Sequence, residues 1–282
     1  MKRRSFQTAK AETVNNSDNT PTPSLNACCF KDPLLHGNMS LTQLFSFASE
    51  SGFSTVDLSA NLVPGYPAVP EDEVLYEIKR LAFRSGISFS GTGVRNDFSL
   101  KNTEELSGQI DHVKQWIVAA SKMGAPNISV FEGKKIQPGM TEGLTFKQII
   151  DAFRECALFA SRYGVTVAFQ NNGGIIDSPG KMIETVKTVN SQWFGLMLDT
   201  SNVPGPDPYP GIASLIPYIV SWLLREEVQW AGETEAVDLK RLLEIIHQNK
   251  YLGFIPMEIL GEGDPKEKVR TFLQKYQKAS PI

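Results

Sequence analysis

Histidine and cysteine are scarce in this chain, and their scarcity narrows the chemistry. Only three of the 282 residues are histidine: His36 in a loop, and His112 and His247 in expected helices. None falls at the end of an expected strand, which argues against a histidine-rich zinc site. The three cysteines, Cys28, Cys29 and Cys156, form no regular framework, and the adjacent pair would need strained geometry to bridge. They fit a reducing compartment or simple buried thiols. No apolar run approaches the roughly 18 residues that span a bilayer, so no membrane association is expected. No lysine or arginine block lies beyond the N-terminus and the formal net charge is −3, which speaks against nucleic acid as a partner. A nucleophile elbow and a phosphate-binding P-loop are both missing, and GTGVRN at residues 91–96 lacks the third glycine of a dinucleotide loop and opens no helix.

Residues 1–23 are polar and without periodicity. Their MKRRSF start resembles that of a twin-arginine export signal, but residues 7–24 contain no apolar segment. The expectation is a disordered basic tail on a cytoplasmic protein, or a periplasmic protein if the start is the remnant of a leader.

From Ser24 the chain alternates strand and helix. Expected strands are SLNACCF, FSTVDL, ISFSGTG, NISVF, VTVAF, FGLMLD, YIVSWLL and FIPMEI. Between them lie amphipathic stretches, with Val74, Ile78 and Leu81 on one expected face and Leu106, Ile110, Val113 and Ile117 on another. Asn102 with Glu105 and Thr145 with Gln148 read as capping boxes, and Asp264 before Pro265 as a strong helix start. Gly52, Gly86, Gly124 and Gly164 each stand where a helix closes before a strand. Eight buried strands alternating with helices imply a parallel sheet covered on both faces. At this length the expectation is one α/β domain, a single (β/α)8 TIM barrel over residues 24–282, with an open doubly wound sheet as the other solution.

A barrel of this kind works at the C-terminal ends of its strands. Those ends carry Asn26, Asp57, Arg95 with Asn96 and Asp97, Glu132, Gln170 with Asn171 and Asn172, Asp199 with Asn202, Arg225 with Glu226, and Glu258. Such an oxygen-rich ring suits hard divalent cations. Asp199 and Glu258 stand in apolar runs, where an unpaired charge is costly, so they head the functional candidates. Trp222 has two readings, a core side chain or a platform for stacking a sugar. Cys28 and Cys29 read as small buried hydrophobes.

The stretches SGTGVRNDF, GAPNISVF, AFQNNGG, WFGLMLDTSN, IPYIVSW and PMEILGEGDPKEKV together resemble the xylose isomerase-like TIM barrels, a family of sugar isomerases and epimerases. The resemblance implies a small-molecule sugar or glycoside as ligand and a divalent metal, Mn or Mg in preference to Zn, held by Gln170, Asp199 and Glu258. It implies Glu258 and Gln170 as catalytic positions, and Asn202 and Arg225 as matching family positions; with Asn26, Arg95 and Asn172 from the strand ends and Trp222 as a platform, these are the substrate-binding candidates. Two departures stand out. Gln170 occupies a glutamate position and cannot accept a proton at neutral pH. Leu223 occupies the strand-seven ligand position, so the metal is expected to be weakly held or absent. Glu258 is left as the base. The alternatives are a non-catalytic sugar-binding barrel with a degenerate metal site, a sugar lyase or hydratase on the same scaffold, and an apurinic endonuclease, which the scarcity of histidine opposes.

Overall fold

The computed structural model describes residues 20–133 and 135–280. The tail expected over residues 1–23 therefore lies outside the described residues as far as residue 19. The sheet begins with β1 (Thr22–Asn26), two residues before the expected start. It continues through β2 (Thr55–Asp57), β3 (Ser88–Gly93), β4 (Asn127–Val130), β5 (Thr166–Gln170), β6 (Phe194–Asp199) and β7 (Ile219–Leu223). An antiparallel hairpin, β8 (Glu227–Trp230) with β9 (Glu233–Ala236), stands apart, and β10 (Phe254–Met257) returns to the sheet. The eight-stranded sheet runs β10-β1-β2-β3-β4-β5-β6-β7, with every described pairing parallel. A bridge between Leu224 and Met257 brings β7 back to β10 and closes the ring. The expected (β/α)8 barrel is the fold.

Helices α1 (Lys31–Leu35), α2 (Leu41–Glu50), α3 (Asp72–Arg84), α4 (Thr103–Met123), α5 (Glu142–Ala160), α6 (Pro179–Val189), α7 (Pro208–Leu215), α8 (Leu239–Gln248) and α9 (Pro265–Ala279) surround the strands. Local chemistry starts and stops them. Ser40 and Gln43 form a reciprocal capping box before α2, Asn102 accepts two backbone N–H groups before α4, and Gly124 closes α4 in the left-handed region at φ 89°. Asp264 caps α9 by accepting from the Lys266 N–H at 3.0 Å. Asp264→Ala is expected to cost about 1 kcal/mol, read as a lower urea midpoint at unchanged slope.

The main core fills the space between sheet and helices. Phe153 of α5 sits at its centre, with ring centroids 5.7 Å from Phe98, 5.3 Å from Phe169 and 4.9 Å from Phe194. Four local expectations need correction. Helix α3 buries Leu75, Ile78 and Ala82 rather than Val74, which is 37% exposed, because both sets have helical spacing and contact with the sheet selects between them. Helix α5 starts a turn early, capped by Thr141. The Thr145 hydroxyl bonds the Thr141 carbonyl, and Gln148 donates to the Phe98 and Leu100 carbonyls. The first strand stops at Asn26, whose Oδ1 accepts the Cys28 N–H at 2.9 Å and turns Ala27–Phe30 into a 3-10 helix. The β8–β9 hairpin was not expected. Its turn places Ala231 at φ 51° and Gly232 at φ 89°, and alanine in that region is not a turn signal.

Candidate functional site

Successive strand residues face opposite sides of the sheet, so the barrel has a lumen distinct from the main core. Along β5 to β7 the lumen is apolar: Ala168, Met197 and Leu223 form a small cluster separate from the core that holds Val167, Phe169, Leu196, Leu198 and Trp222. Around β1 to β4 it is polar. The Ser24 and Ser90 hydroxyls bond at 2.7 Å, and Asn127 donates to the Ser90 carbonyl at 2.8 Å. A Cβ on Gly91 would lie 2.5 Å from Asn127 Oδ1 and 2.7 Å from Asp57 Oδ2, so only glycine lets these two side chains meet over the strand.

Where this polar half reaches the strand ends there is a narrow cavity of about 50 Å³. Asn26, Asp57, Gln170 and Glu258 line it, with Arg95 and Arg225 among the residues around them. Asn26 Nδ2 donates to Asp57 Oδ1 at 3.5 Å. Asp57 is 2% exposed and its Oδ2 has no hydrogen-bond partner. Burial, reinforced by the charge of Glu258, pushes the Asp57 carboxyl up to about 7. Glu258 follows β10 and is 8% exposed. Burial raises its carboxyl above the usual range, against the opposing pull of Arg225. The Arg95 guanidinium lies 4.7 Å from the centroid of the Phe131 ring.

Arg225 ties the strand ends together. Its Nε donates to both carboxylate oxygens of Asp199 at 3.1 Å, and its Nη1 contacts Glu258 Oε2. Barrel closure sets this register, because the Glu258 N–H bonds the Leu224 carbonyl at 2.9 Å and places Glu258 beside the residue that follows Leu224. Asp199, 1% exposed, also accepts from the Ser201 N–H at 3.0 Å, the Ser201 hydroxyl at 2.7 Å and Asn202 Nδ2 at 3.3 Å. Of the metal-ligand set Gln170, Asp199 and Glu258, both carboxylates are thus engaged by a guanidinium, and the oxygens of Asp199 are already hydrogen-bonded. Among the described residues no group of three His, Cys, Asp or Glu could hold a metal ion. A divalent cation does not fit this donor set as it stands.

Of the other sequence candidates, Asn26, Arg95 and Arg225 meet at the cavity. Asn202 lines a different hollow of about 330 Å³, together with Gly173, Gly205 and Gln229. Asn172 is exposed in the loop after β5 and lies off the cavity wall. Trp222 is a correction: it is 0% exposed, its ring centroid is 5.8 Å from Tyr251, and it belongs to the outer core. No sugar stacks on it, because the alternation of β7 points Leu223 into the lumen and Trp222 outward. Glu132, expected in the ring of strand ends, instead accepts the Ile176 N–H at 2.6 Å. A Cβ on Gly174 would sit 2.1 Å from Glu132 Oε1, so the glycine that ends AFQNNGG makes room for a buried carboxylate that holds its own loop. Asn171 stitches β5 to β6, accepting the Asp199 N–H at 2.7 Å and donating to the Asn202 carbonyl at 2.9 Å. Cys28 is the residue that sequence reasoning missed. It lines the cavity together with Glu258. The available signal was its position two residues past Asn26. Cys29 fits the buried reading, with its sulfur bonded to the Met257 carbonyl and the Ile259 N–H.

The model of the xylose isomerase-like TIM barrel family matches residues 45–278. No curated protein matches the sequence. Among solved structures, a D-psicose 3-epimerase from Clostridium cellulolyticum H10 with D-tagatose superposes with a TM-score of 0.74 at 14% identity, covering 93% of this chain and 100% of that one. The 3-keto-D-glucoside 4-epimerase of E. coli gives 0.73 at 11% identity, covering 92% and 100%. The probable 3-DHS dehydratase of petrobactin synthesis from Bacillus anthracis gives 0.73 at 15% identity, covering 91% and 98%. Likeness at these identities is likeness of fold.

Proposed function

The chain belongs to the xylose isomerase-like TIM barrel family, and on that premise we propose that it is a carbohydrate-active enzyme of the isomerase or epimerase type that moves a proton on the carbon next to a sugar carbonyl. The observation that carries this reading is the placement of Glu258. It is a buried carboxylate at the C-terminal end of β10, on the wall of the mouth cavity and beside the amides of Asn26 and Gln170. Glu258 takes the proton from the carbon, and the C–H electron pair forms the C=C bond of an enediolate. The carbonyl π pair moves onto oxygen, facing the guanidinium of Arg225. Asp57, on the same cavity and raised to about 7, supplies a second proton-carrying group near neutral pH in place of the glutamate that Gln170 replaces. The amides bind hydroxyls. Two epimerases among the solved structures of this fold support the reading.

A second reading, a sugar-binding barrel without catalysis, is favoured by one observation. The cavity of about 50 Å³ is well below the roughly 300 Å³ at which ligand pockets begin. A sugar needs a wider mouth, and Arg95 is the exposed side chain on its lining. A dehydratase would begin with the same proton abstraction.

Proton NMR of a panel of uncharged ketoses in D₂O separates these readings. The enzyme reading expects wild-type protein to wash out the C–H signal next to the carbonyl of one member while a new sugar appears. Binding of a ketose by calorimetry with no exchange at any carbon would leave the binding barrel. Exchange followed by loss of water would indicate the lyase.

A further inference from the structure

We infer that Arg225 is a built-in cation standing where a divalent metal would bridge Asp199 and Glu258, and that this site works without a metal ion. The inference deepens the isomerase reading and rests on it for the catalytic role alone; the occupancy of the site stands on geometry.

The two carboxylates come from the ends of β6 and β10, and the guanidinium lies between them. Arg225 Nε reaches both oxygens of Asp199 at 3.1 Å, and Nη1 reaches Glu258 Oε2. The side chain is not a passing surface charge. It is 26% exposed, against 1% and 9% for its two partners, and its backbone N–H is held by Thr200 Oγ1 at 3.0 Å. Ser201 and Asn202 complete the hydrogen bonding of Asp199. On the neighbouring strand the lumen residue is Leu223, packed with Ala168 and Met197, which offers no donor to a metal.

A metal entering here would have to expel a guanidinium from two buried partners and would face its positive charge if it did not. The same charge that excludes the metal can serve in its place, because a fixed guanidinium stabilises a developing oxyanion as a Lewis acid does, without proton exchange. The charge sum also selects the ligand. Asp57, Asp199 and Glu258 face only two cations, Arg225 and Arg95, so the site has no surplus positive charge to hold a phosphate or carboxylate. The substrate class is an uncharged hydroxy-carbonyl sugar.

The test measures metal rather than turnover. Purified wild-type protein, Arg225→Gln and Arg225→Lys are stripped with chelator, incubated with millimolar MnCl₂, and read by electron paramagnetic resonance and thermal melting. The wild type and Arg225→Lys are expected to bind no stoichiometric Mn²⁺ and to keep their Tm. Arg225→Gln is expected to bind one equivalent and to gain roughly 5 °C in Tm. If Arg225→Gln fails to fold, the wild type and the lysine variant still decide the matter. One equivalent bound by the wild type overturns the inference and leaves the isomerase reading standing. So does a folded Arg225→Gln that binds none. A metal-free wild type that exchanges no sugar C–H overturns the isomerase reading and leaves the assignment of Arg225 as resident cation intact.

Discussion

Replacing Glu258 with glutamine is expected to slow the exchange of the sugar α-proton by about 100- to 10,000-fold, the usual contribution of a positioned general base. The substitution is close to isosteric, and the side chain still fills the place beside Arg225 Nη1, so the packing around the end of β10 is kept. What is lost is the lone pair that takes the proton, because an amide is not a base at neutral pH. Gln170, Asn26 and Asp199 are untouched, so affinity for the sugar is expected to change far less than turnover. The measurement is the initial rate of deuterium incorporation by the wild type and by Glu258→Gln, with circular dichroism to show that both are folded. An unchanged rate would remove Glu258 from the reaction.

The second large effect is on stability, and it runs against intuition: Asp57→Asn is expected to make the protein more stable at pH 8. Asp57 is fully buried at the base of the cavity. Its Oδ2 and Asn127 Oδ1 are both acceptors without a partner, and both crowd Gly91. A proton on Asp57 removes a buried charge that has no cationic partner, and an asparagine amide is uncharged at every pH. Burial, aided by the charge of Glu258, raises the folded-state value of Asp57 from 3.8 to about 7. The folded protein therefore holds a proton that the unfolded chain has released. That stabilising contribution is complete below about pH 4, falls by about 1.4 kcal/mol per pH unit as pH rises, and is gone above about 7. The full difference is at most about 4 kcal/mol. Cys28, Arg95, Arg225 and Glu258 share the cavity, and Glu258 is the charge that adds to the shift. Glu132, raised by burial from 4.5 to about 7, and Glu258, also raised by burial, give the wild type further slopes of the same sign. Asp57→Asn should make the decline in unfolding free energy between pH 4 and 7 shallower, measured by urea titration at each pH. A pH profile identical to that of the wild type would show that Asp57 is ionised in the fold.

Much of this molecule was legible before folding was considered. The caps of α4 and α9, the glycines that close helices and the apolar strands are local signals, because each depends on residues within a few positions of one another. The failures were of two kinds. At α3 and α5 two registers of one periodic pattern satisfied the same rule, and contact with the sheet chose between them. At Trp222 and Glu132 the error was one of direction: both sit near strand ends, but the pleat sends Trp222 outward and the backbone N–H of Ile176 captures Glu132. Cys28 was passed over because adjacent cysteines in an apolar run read as core, and only the turn set by Asn26 brings its thiol to the cavity.

Sequence alone therefore determined the order of the barrel strands and the helices between them, the closed barrel, the family, and the end of the barrel at which polar groups collect, since periodicity and capping are written into neighbouring residues. Only the tertiary structure decided what those polar groups do together. Asp199, Arg225 and Glu258 come from three different strand ends, and nothing along the chain states that the arginine sits between the two carboxylates. Closure of β7 onto β10 aligns the residue after Leu224 with Glu258, and low exposure makes each buried charge seek a partner. Pairing of buried charge across a closed barrel is a property of three-dimensional register, and it made Arg225 the centre of a site that strand ends alone had assigned to a metal.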